Sequence, residues 1–218
     1  MKDPLWVPSK ERIRNSLMYK FMEQCPEKFD SYFDLHQWSI SEMESFWSRF
    51  WDFSDIKYST SYDSVLKNPV MPGAKWFSGS ELNYAENLLK GDPNQVAVIS
   101  LGESGSAKSM TFRELNLKVS SAQKGLTNLG VKKGTIVAGF VPNCVETVII
   151  MLAVSSLGGI WTSCSPDFGS KGVVDRFGQV NPHILITSNG YSYNGKLFKL
   201  EDKVKGVLNV IDSIKHVI

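Results

Sequence analysis

The sequence has little cysteine: Cys25, Cys144 and Cys164 are the only three in 218 residues. They are too few and too widely spaced for a disulfide framework, and no CxxC pair offers metal-ligand spacing. A reducing cytoplasm is the compartment this favours. There is also no excess of one charge. Lys and Arg exceed Asp and Glu by only 24 to 22, so the field is too weak to suggest a nucleic acid or an acidic membrane surface as partner. Long apolar runs are missing too. The longest, VETVIIMLAVSSLGGIW, contains Glu146 and a glycine pair and falls short of the roughly 20 residues that span a bilayer. The opening MKDPLWVPSK has two prolines before any apolar stretch, which leaves no signal-peptide core. What remains, 42% hydrophobic and 21% charged, is the composition of a soluble globular protein whose partners are small.

The chain changes character near residue 95. Residues 1–95 hold five of the six tryptophans and hardly any alternating apolar pattern, so an irregular helical N-terminal cap is expected there. Ile13, Leu17 and Phe21 stand four apart, on one helical face. Ser41 precedes Glu44 by three, the spacing of a capping box, and Met43, Phe46, Trp47 and Phe50 follow as an apolar stripe. Such a stripe could line a ligand groove, but burial is the commoner use of large aromatics. MPGAKWFSGSELNYAENLL then reads as a loop leading into a short helix near 81–89.

From Val96 onward, short apolar runs alternate with helical periods. VAVIS, TIVAGFV, GIWTS and HILITS read as strands; helices are expected from Thr111, over 145–157 and near 170–180. Thr111, three before Glu114, fixes the first of these starts. A strand–helix repeat of about 24 residues is the length of a βα unit and argues an α/β fold: a doubly wound, mainly parallel sheet over 96–218. Ligands of such sheets bind beyond the carboxyl ends of the strands. The closing NVIDSIKHVI is apolar with no polar tail, as where a strand starts to pair with something further on, or where a second copy would cover it.

Four stretches could carry chemistry. GESGSAKS, Gly102 to Ser109, almost matches the phosphate loop GxxxxGK[ST], but Ala107 replaces the second glycine. The helix also starts later, at Thr111, which favours a β-hairpin over a nucleotide site at Lys108. WTSCSPDFG places Cys164 at the carboxyl end of a strand. A cysteine nucleophile needs a base within reach, yet His183, following Pro182, belongs to the opposite edge of the sheet. Cys164 is therefore expected to be a buried small hydrophobe, and Ser165-Pro166-Asp167 a turn that doubles as a binding wall. SNGYSYNGK, Ser188 to Lys196, follows the next strand and reads either as a glycine-rich backbone open to a ligand, with Lys196 near a helix start, or as a solvated loop. Asp175, Arg176 and Gln179 read as a solvated helix face with a local ion pair.

In their order and spacing, WFSGSELNYAENLL, TFRELNLKVSSAQKGLTNLGVKKGTIVAGFVPN, SLGGIWTSCSPDFGSKGVVDRFGQVNP and NGYSYNGK closely resemble the acetoacetate-activating branch of the acyl-adenylate-forming, AMP-binding enzyme superfamily. The similarity covers nearly the whole chain from WVPSKERI at Trp6. SCSPDFG, DRFGQV and GYSYNGK are more specific than the superfamily pattern, since the acetate-activating relatives carry a Phe-Gly-Gly loop and an Arg-containing segment there. The resemblance implies a two-step ligase. The acetoacetate carboxylate attacks the α-phosphate of ATP, assisted by Mg²⁺, and pyrophosphate leaves; the coenzyme A thiol then attacks the mixed anhydride and AMP leaves. It also implies that Ser165, Pro166 and Asp167 line the coenzyme A passage, and that Tyr193, Asn194, Gly195 and Lys196 lie against its nucleotide phosphates. Only Lys196 keeps the positive charge that relatives place there. The phosphate loop ending in Pro-Lys, the ribose-binding acid and the lid lysine have no match in these residues. The chain is therefore expected to be the N-terminal third of such an enzyme, with no catalytic or metal-ligating residue of its own, no tightly held cofactor and no turnover alone. A stand-alone doubly wound binding module and a phosphate-loop nucleotidase are the rival readings.

Overall fold

The computed structural model describes residues 5–102, 105 and 107–218, and the chain divides into two compact units, 1–82 and 83–218. In the first unit, four helices come first: α1 (Lys10–Arg14), α2 (Leu17–Gln24), α3 (Tyr32–Ser41) and α4 (Met43–Phe53). The four-apart series Ile13, Leu17, Phe21 does not make one helix. Ser16 interrupts it, its hydroxyl accepting from the Tyr19 amide at 3.2 Å as the N-cap of α2. Nor does Ser41 cap α4. Ser41 is the last residue of α3, and Glu42 opens α4 with no side-chain cap. The capping box forms earlier, where Ser31 and Asp34 satisfy each other's amides at the start of α3. The aromatic stripe packs inward only in part: Phe46 meets Phe21 edge-on at 5.7 Å and Trp38 at 5.8 Å, while Phe50 stays exposed and, with Phe46, lines an open groove. Residues 75–78, expected as loop, form strand β2 (Lys75–Ser78), antiparallel to β1 (Ser64–Lys67).

The second unit opens with α5 (Tyr84–Leu88), then the strands β3 (Val96–Leu101) and β4 (Ala107–Thr111). These two pair antiparallel, with Lys108 opposite Ser100. Lys108 thus lies in a hairpin strand as the late helix start implied, although Glu103, Ser104 and Ser106 of the near-motif lie outside the described residues. Helix α6 (Phe112–Asn128) begins on the expected capping box: Thr111 Oγ1 accepts from the Glu114 amide at 3.3 Å, and the Glu114 carboxylate accepts from the Thr111 amide at 2.8 Å.

The main sheet consists of β5 (Ile136–Phe140), β6 (Ile160–Cys164), β7 (Ile184–Thr187) and β10 (His216–Val217), ordered β10-β7-β5-β6 and parallel throughout. β5, β6 and β7 begin at residues 136, 160 and 184, the βα period read from the sequence. Helices α7 (Val145–Ser156) and α8 (Ser170–Phe177) join them, and α9 (Glu201–Leu208) precedes β10.

Side chains alternate faces along a strand, and the core divides accordingly. Val137, Ile184 and Ile186 pack in one cluster with Leu115, Val119 and Leu126 of α6 and Leu152 and Ala153 of α7. Ala138, Phe140 and Leu185 pack in the other with Val173 and Phe177 of α8 and Val207 of α9. Helices cover both faces, so the sheet is doubly wound. Gly139 occurs where Trp161 on the neighbouring strand crosses: a Cβ there would meet the indole ring. Among the described residues no helix is long and apolar enough to cross a membrane.

Candidate functional site

The strand order creates the site. The chain passes from β5 to β6 on one side, then returns across β5 to place β7 on its other side. The strands that follow β5 therefore lie on both sides of it, the kind of reversal beyond whose carboxyl ends ligands of open α/β sheets bind. The register aligns the three tips, since Phe140 pairs with both Cys164 and Thr187. The Thr187 hydroxyl donates to the Phe140 carbonyl at 3.1 Å, tying two of the tips together. Three segments leave this edge: Val141–Asn143 into α7, Ser165–Gly169 into α8, and Ser188 into a hairpin. A cavity of about 220 Å³ lies between the first two, lined by Val141, Pro142, Thr147, Ser163, Cys164 and Ser165.

The turn after β6 is held from several directions. The Phe168 amide donates to the Ser165 carbonyl at 3.2 Å, closing the turn around Pro166 and Asp167. The Ser165 hydroxyl donates to the Asp167 carboxylate. That bond, then the carboxylate's own backbone amide, and in smaller measure the nearby Lys203 ammonium hold the Asp167 pKa below its ordinary value, so an anion is kept at the rim. Pro166 is buried while Ser165 and Asp167 are exposed. Lys203 Nζ on α9 donates to the Pro166 carbonyl at 2.9 Å. Arg176 does not pair locally as expected. Its guanidinium lies over the Phe168 ring at 4.2 Å and donates to the Gly172 carbonyl at 3.0 Å, while Gln179 donates to the Asp175 carbonyl.

Cys164 is 5% exposed, and burial pushes its thiol pKa up, opposite to what a thiolate nucleophile needs. His183 lies at the amino edge, its amide donating to the Ile136 carbonyl at 2.8 Å, with its ring against His216. Among the described residues the carboxyl edge thus holds no Cys–His couple.

Ser188 to Lys196 is neither a loop nor a helix start. Strands β8 (Gly190–Tyr193) and β9 (Lys196–Lys199) pair antiparallel around Asn194-Gly195, both at positive φ as a two-residue hairpin turn requires. Tyr191 stacks on Phe198 across the strands at 5.3 Å, and Gly190 passes so close to the Phe198 carbonyl that a Cβ would collide with it. Tyr193 and Lys196 are opposite one another and exposed. The structure therefore groups Ser165, Pro166 and Asp167 in one turn, and Tyr193, Asn194, Gly195 and Lys196 in one hairpin tip, with β6 and β7 bringing the two segments to the same sheet edge on either side of β5.

Two contributors escaped the sequence reading. Thr187 matters through the adjacency of β5 and β7, which no local pattern reveals. Lys203 sits on α9, whose spacing of Leu200, Val204, Val207, Leu208 and Ile211 is a legible helical period. Its contact with Pro166 spans 37 residues.

The profile of the AMP-binding enzyme family matches residues 85–217, and that of the acetyl-coenzyme A synthetase N-terminus matches residues 32–88. An acetoacetyl-coenzyme A synthetase of Rhizobium meliloti is 39% identical over 94% of this chain and 32% of its own length. One of Xenopus tropicalis is 40% identical over 93% of the chain and 32% of its own length. The solved acetoacetyl-CoA synthetase from Streptomyces lividans superposes with a TM-score of 0.92 at 37% identity, covering 99% of this chain and 34% of that one. The chain spans about a third of the length of the proteins it matches.

Proposed function

Because this chain belongs to the AMP-binding enzyme family, we propose that it is the N-terminal part of a cytoplasmic acetoacetate–CoA ligase. The whole enzyme would convert ATP, acetoacetate and coenzyme A to acetoacetyl-CoA, AMP and diphosphate through an acyl-adenylate. The observation that carries this reading is the shared rim: β6 and β7 run parallel on either side of β5 and deliver the Ser165–Asp167 turn and the 190–199 hairpin to one edge. The first, incomplete α/β subdomain expected over 96–218 then takes in the chain from residue 83, and the helical region expected over 1–95 is confined to 1–82.

In this reading, Ser165, Pro166 and Asp167 form a wall of the coenzyme A passage. The buried proline fixes the turn, and the exposed hydroxyl and carboxylate on either side of it face the polar arm. At the hairpin tip, Lys196 supplies the charge for a nucleotide phosphate, Tyr193 supplies a hydroxyl and a ring face, and the Asn194-Gly195 backbone allows close approach. The described residues contain no group of three or more His, Cys, Asp or Glu side chains able to hold a metal ion. With Cys164 buried and no base beside it, coenzyme A brings its own thiol and the chain contributes binding.

The test has two arms. The 218-residue chain, given ATP, Mg²⁺, acetoacetate and coenzyme A, should release no pyrophosphate. Joined in frame to the remaining two thirds of the Streptomyces lividans protein in place of that protein's first third, it should restore acetoacetate-dependent release. Turnover by the chain alone, or a folded chimaera inert toward acetoacetate, overturns the proposal.

A further inference from the structure

We propose that Lys203 on α9 is a positioning residue for the coenzyme-binding turn, setting the geometry of residues 165–167. The inference deepens the coenzyme A reading and rests on it. A turn at the rim of a sheet is normally free to shift, because its carbonyls can exchange protein partners for water at little cost. Here the central carbonyl cannot do so freely. Pro166 is buried, and its oxygen takes a charge-assisted hydrogen bond from the partly buried Lys203 ammonium at 2.9 Å.

The lysine is itself anchored. Its own carbonyl accepts from Ser170 Oγ at 3.3 Å, at the first residue of α8, so α9 is pinned to the helix that the turn leads into. Gly206 permits this approach: a Cβ there would lie 3.1 Å from the Ser170 hydroxyl. Leu200 and Val207, both 0% exposed, fix α9 against the sheet. The ammonium therefore projects from a rigid helix to a set point. One of its three N–H groups goes to Pro166, and its charge contributes to keeping Asp167 ionised. The proline ring fixes φ at the first corner and the Phe168 amide closes the turn, and the Lys203 donor then holds the Pro166 carbonyl, the one group of the corner that neither constrains.

The experiment is a titration of the chain with coenzyme A, followed through the amide NMR shifts of Ser165, Asp167 and Phe168. Lys203→Met keeps the apolar stem and removes the donor, and should weaken binding about tenfold. Lys203→Arg restores a cationic donor and should stay within about twofold of the parent. Ser170→Ala removes one anchor of α9 but leaves Leu200, Val207 and the Lys203–Pro166 bond in place, and should weaken binding by no more than about twofold. Parent-like binding by Lys203→Met overturns the proposal. So does weakening by Ser170→Ala as large as that of Lys203→Met, since helix packing would then be the cause. Turn amides that stay unmoved in the parent at any coenzyme concentration instead remove the coenzyme reading on which the proposal stands.

Discussion

The two units bury their apolar residues by different means. In 83–218 a period-2 sheet lies between helical layers, and Val137, Ala138, Phe140, Val173, Phe177, Ile184, Leu185 and Val207 are all 0% exposed. In 1–82 the most enclosed described hydrophobics, Cys25, Phe21 and Leu35, remain 4–6% exposed. There rings meet edge to face around an open groove of about 760 Å³ lined in part by Phe21, Leu35, Phe46, Phe50 and Phe53. A sheet offers two faces whose residues alternate without choice, so a regular βα repeat closes both sides. Short helices carrying large rings tile one surface and leave gaps. The candidate site is accordingly on the unit whose strand tips are fixed by a closed core, the kind of scaffold on which loops keep their geometry.

Deleting a ring from each unit tests that contrast most severely. Phe177→Ala removes a 0% exposed side chain from the second cluster and should cost about 3–5 kcal/mol. Phe50→Ala removes a ring that is 41% exposed and should cost no more than about 1–2 kcal/mol, because much of its surface already meets solvent. Urea unfolding of both variants against the parent gives the comparison. Equal losses would mean that the groove unit is packed as tightly as the sheet unit.

Within the second unit, the hairpin is where close packing gives way to close backbone approach. Gly190→Ala forces a Cβ into the Phe198 carbonyl and should cost about 1–3 kcal/mol, felt first as faster hydrogen exchange at the Leu200 amide, which donates to the Asn189 carbonyl at 3.0 Å. Gly195→Ala, at φ +70 with nothing within 4 Å of a Cβ, carries only the left-handed strain of about 1 kcal/mol. If Ala is tolerated better at 190 than at 195, the pairing of β8 with β9 is not what holds the tip.

The contrast between the units also decided what could be read in advance. The 24-residue beat, the Thr111 box and the burial of Cys164 follow from local pattern in a regular region, and each is present. In the irregular unit the same rules misled. Ser41 has the capping spacing, but α3 runs through it, and Ser16 breaks a four-apart series that looked continuous. Residues 75–78 are too short a run to show alternation. Asn194-Gly195 between Tyr193 and Lys196 is a two-residue hairpin signal, but the polar, glycine-containing run from Ser188 to Lys196 has the composition of a loop as well, and only the pairing of β8 with β9 separates the two. Beyond these lies a physical limit. The adjacency of β5 to β7 and the reach of Lys203 to Pro166 depend on strand order and helix docking, which local spacing does not encode.

The smallest effects should be the ones the units share, since capping depends on one turn of chain and not on the core beneath it. Ser31→Ala and Thr111→Ala each remove the hydroxyl that accepts an N3 amide, and each should cost about 1 kcal/mol despite the difference in packing around them. The Thr111 box adds a pH signature. The Glu114 pKa is lowered chiefly by the Thr111 amide and then by its hydroxyl, with Lys118 adding to this. A carboxylate whose folded pKa is depressed stabilises the folded chain above its unfolded value, and the benefit is lost as pH falls through the folded pKa. The melting temperature of Glu114→Gln should therefore lie below that of the parent at neutral pH, and the two should converge in acid. Curves that separate on acidification would show that the carboxylate is not what closes this helix start.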